Sequence, residues 1–226
     1  MSTIDEVPAP ARALRKDAAR NRELLLAAAR EVFGERGLDA SLDDVARRAG
    51  VGVGTAYRHF ANKYELAGAI FKQEVDEIAA IAADGLRHDD PWLGLVQFLE
   101  STLEAQTVNR GLREVLMGVH DAELEAEVHH LLAGPIIALV ERAQAAGAVR
   151  LDAAPTDLGA MIMMLCVVAD VAAEAEPRLW RRYLPILLAG LRPDGPALPV
   201  PPLADDVMRK AMSSHKQRLA QVTAQR

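Results

Sequence analysis

Cysteine and aromatic residues are scarce in this chain of 226 residues, and their scarcity excludes several classes of site. The one cysteine, Cys166, excludes an internal disulfide and any zinc cluster built on thiolates, and it fits a reducing cytosol. Its neighbours from Met163 to Val168 are apolar, which predicts a buried and inert thiol. Alanine and leucine abound, whereas β-branched residues form no alternating runs. This composition predicts an all-α protein.

Long hydrophobic runs are also missing. The longest, from Leu158 to Ala169, is too short to cross a bilayer and is followed by Asp170. The N-terminus, with Asp5, Glu6 and two early prolines, lacks the basic-then-apolar pattern of a signal peptide. We therefore expect a soluble cytoplasmic protein with no membrane partner.

The chain has no overall excess of positive charge, since its formal net charge is −6. The distribution is uneven, because residues 1–72 hold 12 basic and 10 acidic residues, whereas residues 73–226 hold 14 and 22. The eleven positions 12–22 contain one acidic residue, Asp17, and five basic residues: Arg12, Arg15, Lys16, Arg20 and Arg22. Residues 1–16 are expected to be a disordered basic arm. The basic segment either follows a DNA backbone, with Arg20 and Arg22 as the best candidates, or is a solvated tail.

Residues 41–63 carry the most specific local pattern. Ser41 is a good N-cap, and two acidic residues follow in the first turn, where negative charge suits the helix dipole. Gly50 is suited to end this helix, because a residue that tolerates positive φ is favoured there. A second short helix is predicted from Val53 to Phe60. Two short helices around a glycine-containing turn are typical of a helix-turn-helix, whose second helix enters the DNA major groove.

The pattern continues on both sides of the turn. Its three runs are Leu42-Asp43-Asp44-Val45-Ala46-Arg47-Arg48-Ala49-Gly50-Val51, Gly54-Thr55-Ala56-Tyr57-Arg58-His59-Phe60 and Asn62-Lys63. Over about residues 20–70 the sequence resembles the TetR family of bacterial transcriptional repressors. It departs from the commonest family pattern at Gly52, where a serine is frequent, and at Ala56, where a larger apolar residue is frequent. The resemblance implies an N-terminal three-helix DNA-binding head and a larger C-terminal helical body for ligand binding and dimerisation.

The resemblance also implies contacts with the DNA backbone. Tyr57, His59 and Lys63 occupy positions that usually touch phosphates in this family. Ser41 and Arg48 are further candidates for backbone contact. The ring of Tyr57 is expected to pack within the head as well.

Base readout is expected from the same short helix. Thr55 and Arg58 are the predicted readers of base edges, since an arginine that holds O6 and N7 of guanine supplies roughly 1–3 kcal/mol of discrimination. Val53 and Gly54, at the helix start, permit close approach and contact with a thymine methyl group. Phe60 is instead expected in the core of the head.

Four segments are predicted: the arm at 1–16, a DNA-binding domain at 17–61, a ligand-binding and dimerisation domain at 62–192, and a proline-rich linker with a C-terminal tail or helix at 193–226. Outside the helix-turn-helix, apolar periodicity predicts helices over about 17–36, 62–86, 91–110, 112–119, 122–146, 156–175 and 177–191. Pro135 is expected to kink the helix that contains it. Residues 204–224 are expected to form either a weakly amphipathic helix or a tail.

The body offers two further candidate surfaces. The last two helices are apolar around more of their circumference than a surface helix needs, which predicts burial against a second copy of the chain. Their candidate interface residues are Leu165, Val168, Leu179, Trp180, Tyr183, Leu184, Leu187 and Leu188. The resemblance implies a pocket for a small apolar or amphipathic effector. Its candidate lining is Trp92, Phe98, Met117, Met161 and Met164, although an ordinary core explains each of these residues better when it is taken singly.

No catalytic set, phosphate-binding loop or cofactor motif is apparent, so the sequence predicts neither an enzyme nor a cofactor. Glu125 and His129 lie four residues apart with His120, Asp121 and His130 nearby, but the His-Glu-x-x-His arrangement is absent. Solvated side chains on a helix explain these residues better than a metal site does.

The sequence therefore predicts a homodimeric repressor that binds a near-palindromic double-stranded operator and is released by a small effector. Two alternatives stay open within DNA regulation: an activator, and a regulator that answers to a protein rather than a small ligand. A third is a helical metal-dependent enzyme with a vestigial DNA-binding head.

Overall fold

The computed structural model describes residues 9–108, 122–211 and 214, without the side chains of 9–15, 38, 108 and 122–128. Within these ranges no residue lies in a β-strand, and the all-α prediction is confirmed. The helices are α1 (Ala9–Arg36), α2 (Leu42–Ala49), α3 (Val53–His59), α4 (Lys63–Arg87), α5 (Pro91–Val108), α6 (Ala122–Ala145), α7 (Pro155–Val171) and α8 (Trp180–Gly190). A 3-10 turn, Gly37–Asp39, separates α1 from α2, and residues 205–211 are also helical.

The N-terminal helices pack around a hydrophobic core of their own. The periodic face of α1 contributes Leu25, Ala29 and Phe33, all with no exposed surface. This face packs against Val45 of α2 and Ala56 of α3, which are also fully buried. The three-helix head expected from the sequence is therefore built on one core.

Helix α4 belongs to two cores. Leu66, Ala67 and Ile70 in its first two turns lie in the head core, whereas Ala82 lies in the core of the body. The head core thus extends past residue 61, where the sequence placed the domain boundary. Because α4 is continuous from one core to the other, it links the head directly to the body.

The C-terminal end of α4 is fixed to the body by Arg142 of α6. The Arg142 guanidinium donates to the carbonyl oxygens of Leu86 at 2.8 Å, His88 at 2.5 Å and Asp89 at 3.3 Å. The last carbonyls of a helix lack partners within the helix, so a guanidinium at this end satisfies them and complements the helix dipole.

The body core is formed by α5, α6, α7 and α8 together with the second half of α4. Leu95, Phe98, Leu99 and Leu103 of α5 are fully buried in it, and Trp180 at the start of α8 is 1% exposed. Helix α6 runs through Pro135 as one element. The predicted helix at 112–119 and Met117 lie outside the described residues.

The first helix begins earlier than the sequence predicted. Residues 9–16, expected in the disordered arm, form the first two turns of α1. Alanine, leucine, arginine and lysine dominate this stretch, and these residues have the highest helix propensities. Basic charge is typical of a disordered arm, but it is equally compatible with the solvated end of a helix. Residues 1–8 lie outside the described residues.

The last two helices are shorter than expected, and α7 is shorter because it ends at Val171 rather than near Ala175, although it begins one residue earlier. Pro155, rather than Thr156, opens α7, and Asp157 accepts the Ala154 N–H at 2.8 Å. A proline is favoured in a first helical turn because the N–H that it lacks would have no helical partner there. Helix α8 begins at Trp180 rather than Pro177, because the preceding residues close a tight turn in which the Leu179 N–H bonds the Glu176 carbonyl at 3.0 Å.

The proline-rich segment after α8 is attached to the body. Arg150 is 8% exposed and donates to both carboxylate oxygens of Asp152, to the Gly190 carbonyl at 3.2 Å and to the Pro196 carbonyl. Asp152 in turn accepts the Leu198 N–H at 2.9 Å. The segment is therefore held to the body by the buried Arg150 guanidinium and the exposed Asp152 carboxylate rather than projecting as a free linker.

In the part of the chain that the structure describes, no helix combines the length and the apolar character needed to cross a membrane.

Candidate nucleic-acid interface

The helix-turn-helix begins with a complete capping box. The Ser41 hydroxyl accepts the Asp44 N–H at 3.1 Å, and the Asp44 carboxylate accepts the Ser41 N–H at 3.1 Å and the Ser41 hydroxyl at 2.7 Å. These hydrogen bonds from Ser41 lower the pKa of Asp44 to about 2. Ser41 is exposed at this helix end, where its hydroxyl takes part in the cap.

The turn between α2 and α3 depends on Gly50. This residue has a φ of 66°, in the left-handed region that favours glycine, and its N–H bonds the carbonyls of Ala46 and Arg47. Val51 then bonds back to Ala46 at 3.0 Å and packs against the head core. The short turn fixes the direction in which α3 leaves the head.

Helix α3 has one buried and one outward face. Ala56 is fully buried and Phe60, at its C-cap, is 1% exposed, which confirms that Phe60 is a core residue. Val53, Gly54, Tyr57 and Arg58 are exposed. The small side chain of Ala56 thus sits on the packed face, and the outward face carries the side chains that the sequence assigned to DNA.

Thr55 and Arg58, the two predicted base readers, contact each other. Nη2 of Arg58 donates to Oγ1 of Thr55 at 2.8 Å. The two residues are three positions apart and therefore neighbours on the helix surface. Thr55 is half-buried and Arg58 exposed.

The predicted phosphate contacts lie on or beside α3. The Tyr57 phenol is half exposed, and the nearby Asp43 carboxylate raises the pKa of the phenol. The His59 ring is partly buried, with its centroid 6.5 Å from that of Phe60. Lys63 opens α4, and its Nζ lies 5.6 Å from the centre of the Tyr64 ring.

Arg48, also expected near the DNA backbone, is engaged within the head. It donates to Glu31 at 3.0 Å and to Glu35 at 2.8 and 3.1 Å, all on α1. The Arg48 guanidinium lowers the pKa of Glu35. The structure therefore places Arg48 as a clamp between α1 and α2, and its guanidinium is directed toward α1.

The two arginines assigned to the N-terminal arm are both on α1. Arg20 is exposed, whereas the Arg22 guanidinium lies 4.6 Å from the centre of the Phe60 ring. A cation over an aromatic face is attractive, so Arg22 helps to hold α1 against the end of α3.

Comparisons with known proteins agree on the class of this head and body. The family model described as bacterial regulatory proteins, tetR family, matches residues 25–70, and the model described as transcriptional regulator SbtR-like, C-terminal domain, matches residues 90–193. The crystal structure of the TetR transcriptional regulator SCO0520 from Streptomyces coelicolor is 31% identical, with a TM-score of 0.59, and the match covers 77% of this chain and 99% of that one. This chain belongs to the TetR family. It is a DNA-binding transcriptional regulator.

Two further relatives extend this comparison. The HTH-type transcriptional regulator SAR0097 of Staphylococcus aureus strain MRSA252 is 37% identical over 81 residues, which span 34% of this chain and 42% of that relative. The match thus covers less than half of the curated relative's length. FadR from Bacillus subtilis, solved in complex with stearoyl-CoA, is 17% identical with a TM-score of 0.61 over 75% of this chain and 99% of that one, a likeness of fold.

The residues that the sequence assigned to a dimer interface divide into three groups by exposure in this TetR-family regulator. Leu165, Trp180, Leu184 and Leu188 are buried in the chain's own core, and Val168, Leu179 and Leu187 are partly buried. Tyr183 alone among them is exposed. Four of the eight therefore pack the subunit itself and present little surface to a second copy.

A different set of apolar side chains on α7 and α8 faces outward. On α7, Met163, Val167 and Val171 recur every fourth position and Met164 follows Met163; on α8, Ile186 lies three positions after Tyr183. We call them, with Tyr183, the outer α7–α8 face. Their four-residue repeat is visible in the sequence, but a helix that is apolar all around gives no sign of which stripe faces its own core.

Three of the predicted pocket residues belong to one cluster, because Phe98 and Met161 lie in the body core and Trp92 packs against it. Met164 is on the outer α7–α8 face. The Trp92 ring lies 3.5 Å from the Arg192 guanidinium. Met117 lies outside the described residues, so an effector site lined by these five remains an expectation.

Of the residues considered for a metal, His129 contacts Asp205, with 3.2 Å between Nε2 and Oδ2. His130 is exposed beside it. His120, Asp121 and the side chain of Glu125 lie outside the description. Across the described side chains, no group of three or more potential metal ligands is present.

Proposed function

We propose that this TetR-family regulator is a homodimeric repressor that binds a near-palindromic operator through α3 and releases it when a small apolar or amphipathic effector binds the body. The observation that carries the proposal is the outward face of α3, where Tyr57 and Arg58 are exposed while Ala56 and Phe60 anchor the helix. A recognition helix must combine both properties, because its position in the groove depends on a rigid support.

Dimerisation is supported by the outer α7–α8 face. Val167 and Val171 are 56% and 86% exposed, and Ile186 is 61% exposed. Val167 and Val171 lie four residues apart and therefore on one face of α7, and exposed apolar side chains grouped in this way mark an interaction surface. A symmetric pair through this face would give each dimer two heads, and heads about 34–36 Å apart would enter successive major grooves of an inverted repeat.

An effector acts in this scheme by its different affinity for two states of the dimer. The link available for such coupling is α4, because its first turns lie in the head core and its last turn is bound by Arg142 of the body. FadR of Bacillus subtilis, which has the same fold, was solved in complex with stearoyl-CoA. An amphipathic ligand of that kind is therefore a reasonable first class to screen.

The proposal is tested with DNA that flanks the coding region. The full chain is titrated by fluorescence anisotropy against this DNA and against a shuffled duplex of equal composition, at several salt concentrations. A repressor of this type binds the flanking DNA at least about 1,000-fold more tightly, the lower end of the specific range. Equal affinity for both duplexes contradicts sequence-specific binding.

A reporter gene driven by the same DNA separates the remaining alternatives. Lower expression with the regulator than without it supports repression, whereas higher expression supports an activator. Elemental analysis of the purified, DNA-binding protein tests the metal-dependent enzyme, since a metal-free active regulator removes that alternative.

A further inference from the structure

We propose that Thr55 is a positioning residue that sets the base preference of the operator by orienting Arg58, rather than an independent DNA contact. The inference rests on the proposed function, because it concerns how the recognition helix reads its operator. The contact that carries it is the 2.8 Å hydrogen bond from Nη2 of Arg58 to Oγ1 of Thr55.

The direction of this bond places the guanidinium where base edges are read. Arg58 is the sixth of the seven residues of α3, and Thr55 is the third. Long side chains on a helix lean toward its N-terminus, and three residues correspond to about 4.5 Å of helix rise. The N-terminal residues of a recognition helix contact the bases, so the bond carries a charge from the last turn of α3 toward its reading end.

Gly52 and Gly54 have no side chain that could compete with Arg58 for the Thr55 hydroxyl. Gly52, the N-cap of α3, makes no side-chain cap, and a Cβ atom built there would be only in ordinary contact with Oγ1 of Thr55, at 3.7 Å. A Cβ atom on Gly54 would meet nothing within 4 Å. Arg58 itself is exposed, so its guanidinium is accessible to a base.

The chemistry of the pair favours guanine. A guanidinium has five N–H donors, and the bond to Thr55 uses one of them. The remaining donors include enough of the planar fork for two bonds to O6 and N7 of one guanine. A guanidinium held in one orientation loses less conformational freedom on binding, and it fits only a base edge that presents its acceptors in that orientation. We therefore expect a G·C pair at one fixed position in each half-site.

The test compares Thr55→Val, which keeps the β-branched shape without the hydroxyl, with Thr55→Ser, which keeps the hydroxyl. Arg58→Ala and the double variant Thr55→Val/Arg58→Ala complete the set. Each protein is titrated with the operator and with a panel in which every G·C pair of the half-site is changed to A·T. Thermal unfolding of each variant confirms that the fold is intact.

We expect Arg58→Ala to abolish the preference at one G·C position, and Thr55→Val to reduce it by about 5-fold or more at the same position. Thr55→Ser should retain the preference to within about 2-fold. The base preference of the double variant should match that of Arg58→Ala alone. The slope of log affinity against log salt should be the same for Thr55→Val and the wild type, because no phosphate contact is lost.

A direct role for Thr55 has a different signature. Thr55→Val could weaken binding to all sequences equally, or the double variant could lose affinity by the product of the two single losses. In either case Thr55 contacts DNA by itself and the inference is wrong. A wild-type protein that prefers no sequence contradicts the proposed function, and with it this inference.

Discussion

Gly85 of α4 and Gly94 of α5 bring the backbones of their two helices into direct contact. A Cβ atom on Gly85 would lie 2.7 Å from the carbonyl oxygen of Gly94 and 3.2 Å from Cδ2 of Leu139. Both glycines are buried. Because the other end of α4 lies in the head core, this contact helps to fix the linking helix to the body.

Replacing Gly85 with alanine should therefore destabilise the protein. The added methyl group meets backbone that has little room to move, which typically costs about 1–3 kcal/mol. Gly68→Ala is the matched control on the same helix, since a Cβ atom there meets nothing within 4 Å. Alanine has the higher helix propensity, so the control should be neutral or stabilising by up to about 1 kcal/mol. Urea unfolding gives the free energy of unfolding of each variant. Similar destabilisation by the two variants would contradict a specific backbone contact at Gly85.

A charge on the outer α7–α8 face should dissociate the proposed dimer. Val171 is 86% exposed in the single chain, so Val171→Asp should leave the subunit folded while placing an unpaired carboxylate in an apolar interface. Leu151→Asp is the matched control, because Leu151 is 84% exposed but lies outside this face, in the loop before α7. Sedimentation velocity should show a monomer for Val171→Asp and a dimer for Leu151→Asp. If the Val171→Asp protein is still dimeric at low micromolar concentration, the dimer interface is not the outer α7–α8 face.

Acid should weaken the head through Asp44. The hydrogen bonds from Ser41 lower the pKa of this carboxyl from 3.8 to about 2 in the folded protein. A depressed folded pKa means that the carboxylate contributes stability above about pH 4, and that this contribution is lost as the pH falls to about 2. Asp44→Asn should therefore be less stable than the wild type at pH 5, and the difference should narrow toward pH 2.

The control for this pH dependence is Asp17→Asn, which removes one exposed carboxylate from α1. Thermal unfolding of the full chain from pH 5 to pH 2 gives the comparison. An Asp44→Asn deficit of the same size at both ends of this range would show that the ionised carboxylate is not what stabilises the cap.

Arg48 should act on the stability of the head rather than on phosphate binding. Its guanidinium is held by Glu31 and Glu35, so Arg48→Gln should lower the melting temperature and leave the salt dependence of operator binding unchanged. Lys63→Gln, which removes a predicted phosphate contact, should instead reduce the slope of log affinity against log salt by about 1. If Arg48→Gln reduces that slope as Lys63→Gln does, Arg48 leaves its clamp and contacts the backbone when DNA binds.

Local features of the head were predictable because they depend on neighbouring residues. The Ser41 cap and the Gly50 turn are set within a few positions of sequence, and both are present with the expected geometry. Phe60 was predictable as a core residue because it ends a helix whose packed face contains Ala56.

Features that depend on distant partners were not predictable. The clamp joins Arg48 to Glu31 and Glu35, which precede it by 17 and 13 positions, and nothing in the local spacing indicates that pairing. The outer α7–α8 face was missed for a related reason. Trp180 and Leu184 are apolar like Val171 and Ile186, and only the packing of the whole body decides which of them are buried.

The central claim is that α3 presents its outward side chains to operator DNA, and one affinity measurement tests it most directly. The double variant Tyr57→Phe/Arg58→Ala is compared with Arg209→Ala, which removes an exposed arginine in the helical stretch at 205–211. Both are titrated by anisotropy against the flanking DNA at fixed salt, after circular dichroism has shown an intact fold. We expect at least about a 10-fold loss of affinity for the double variant and no loss for Arg209→Ala. Wild-type affinity in the double variant would contradict it.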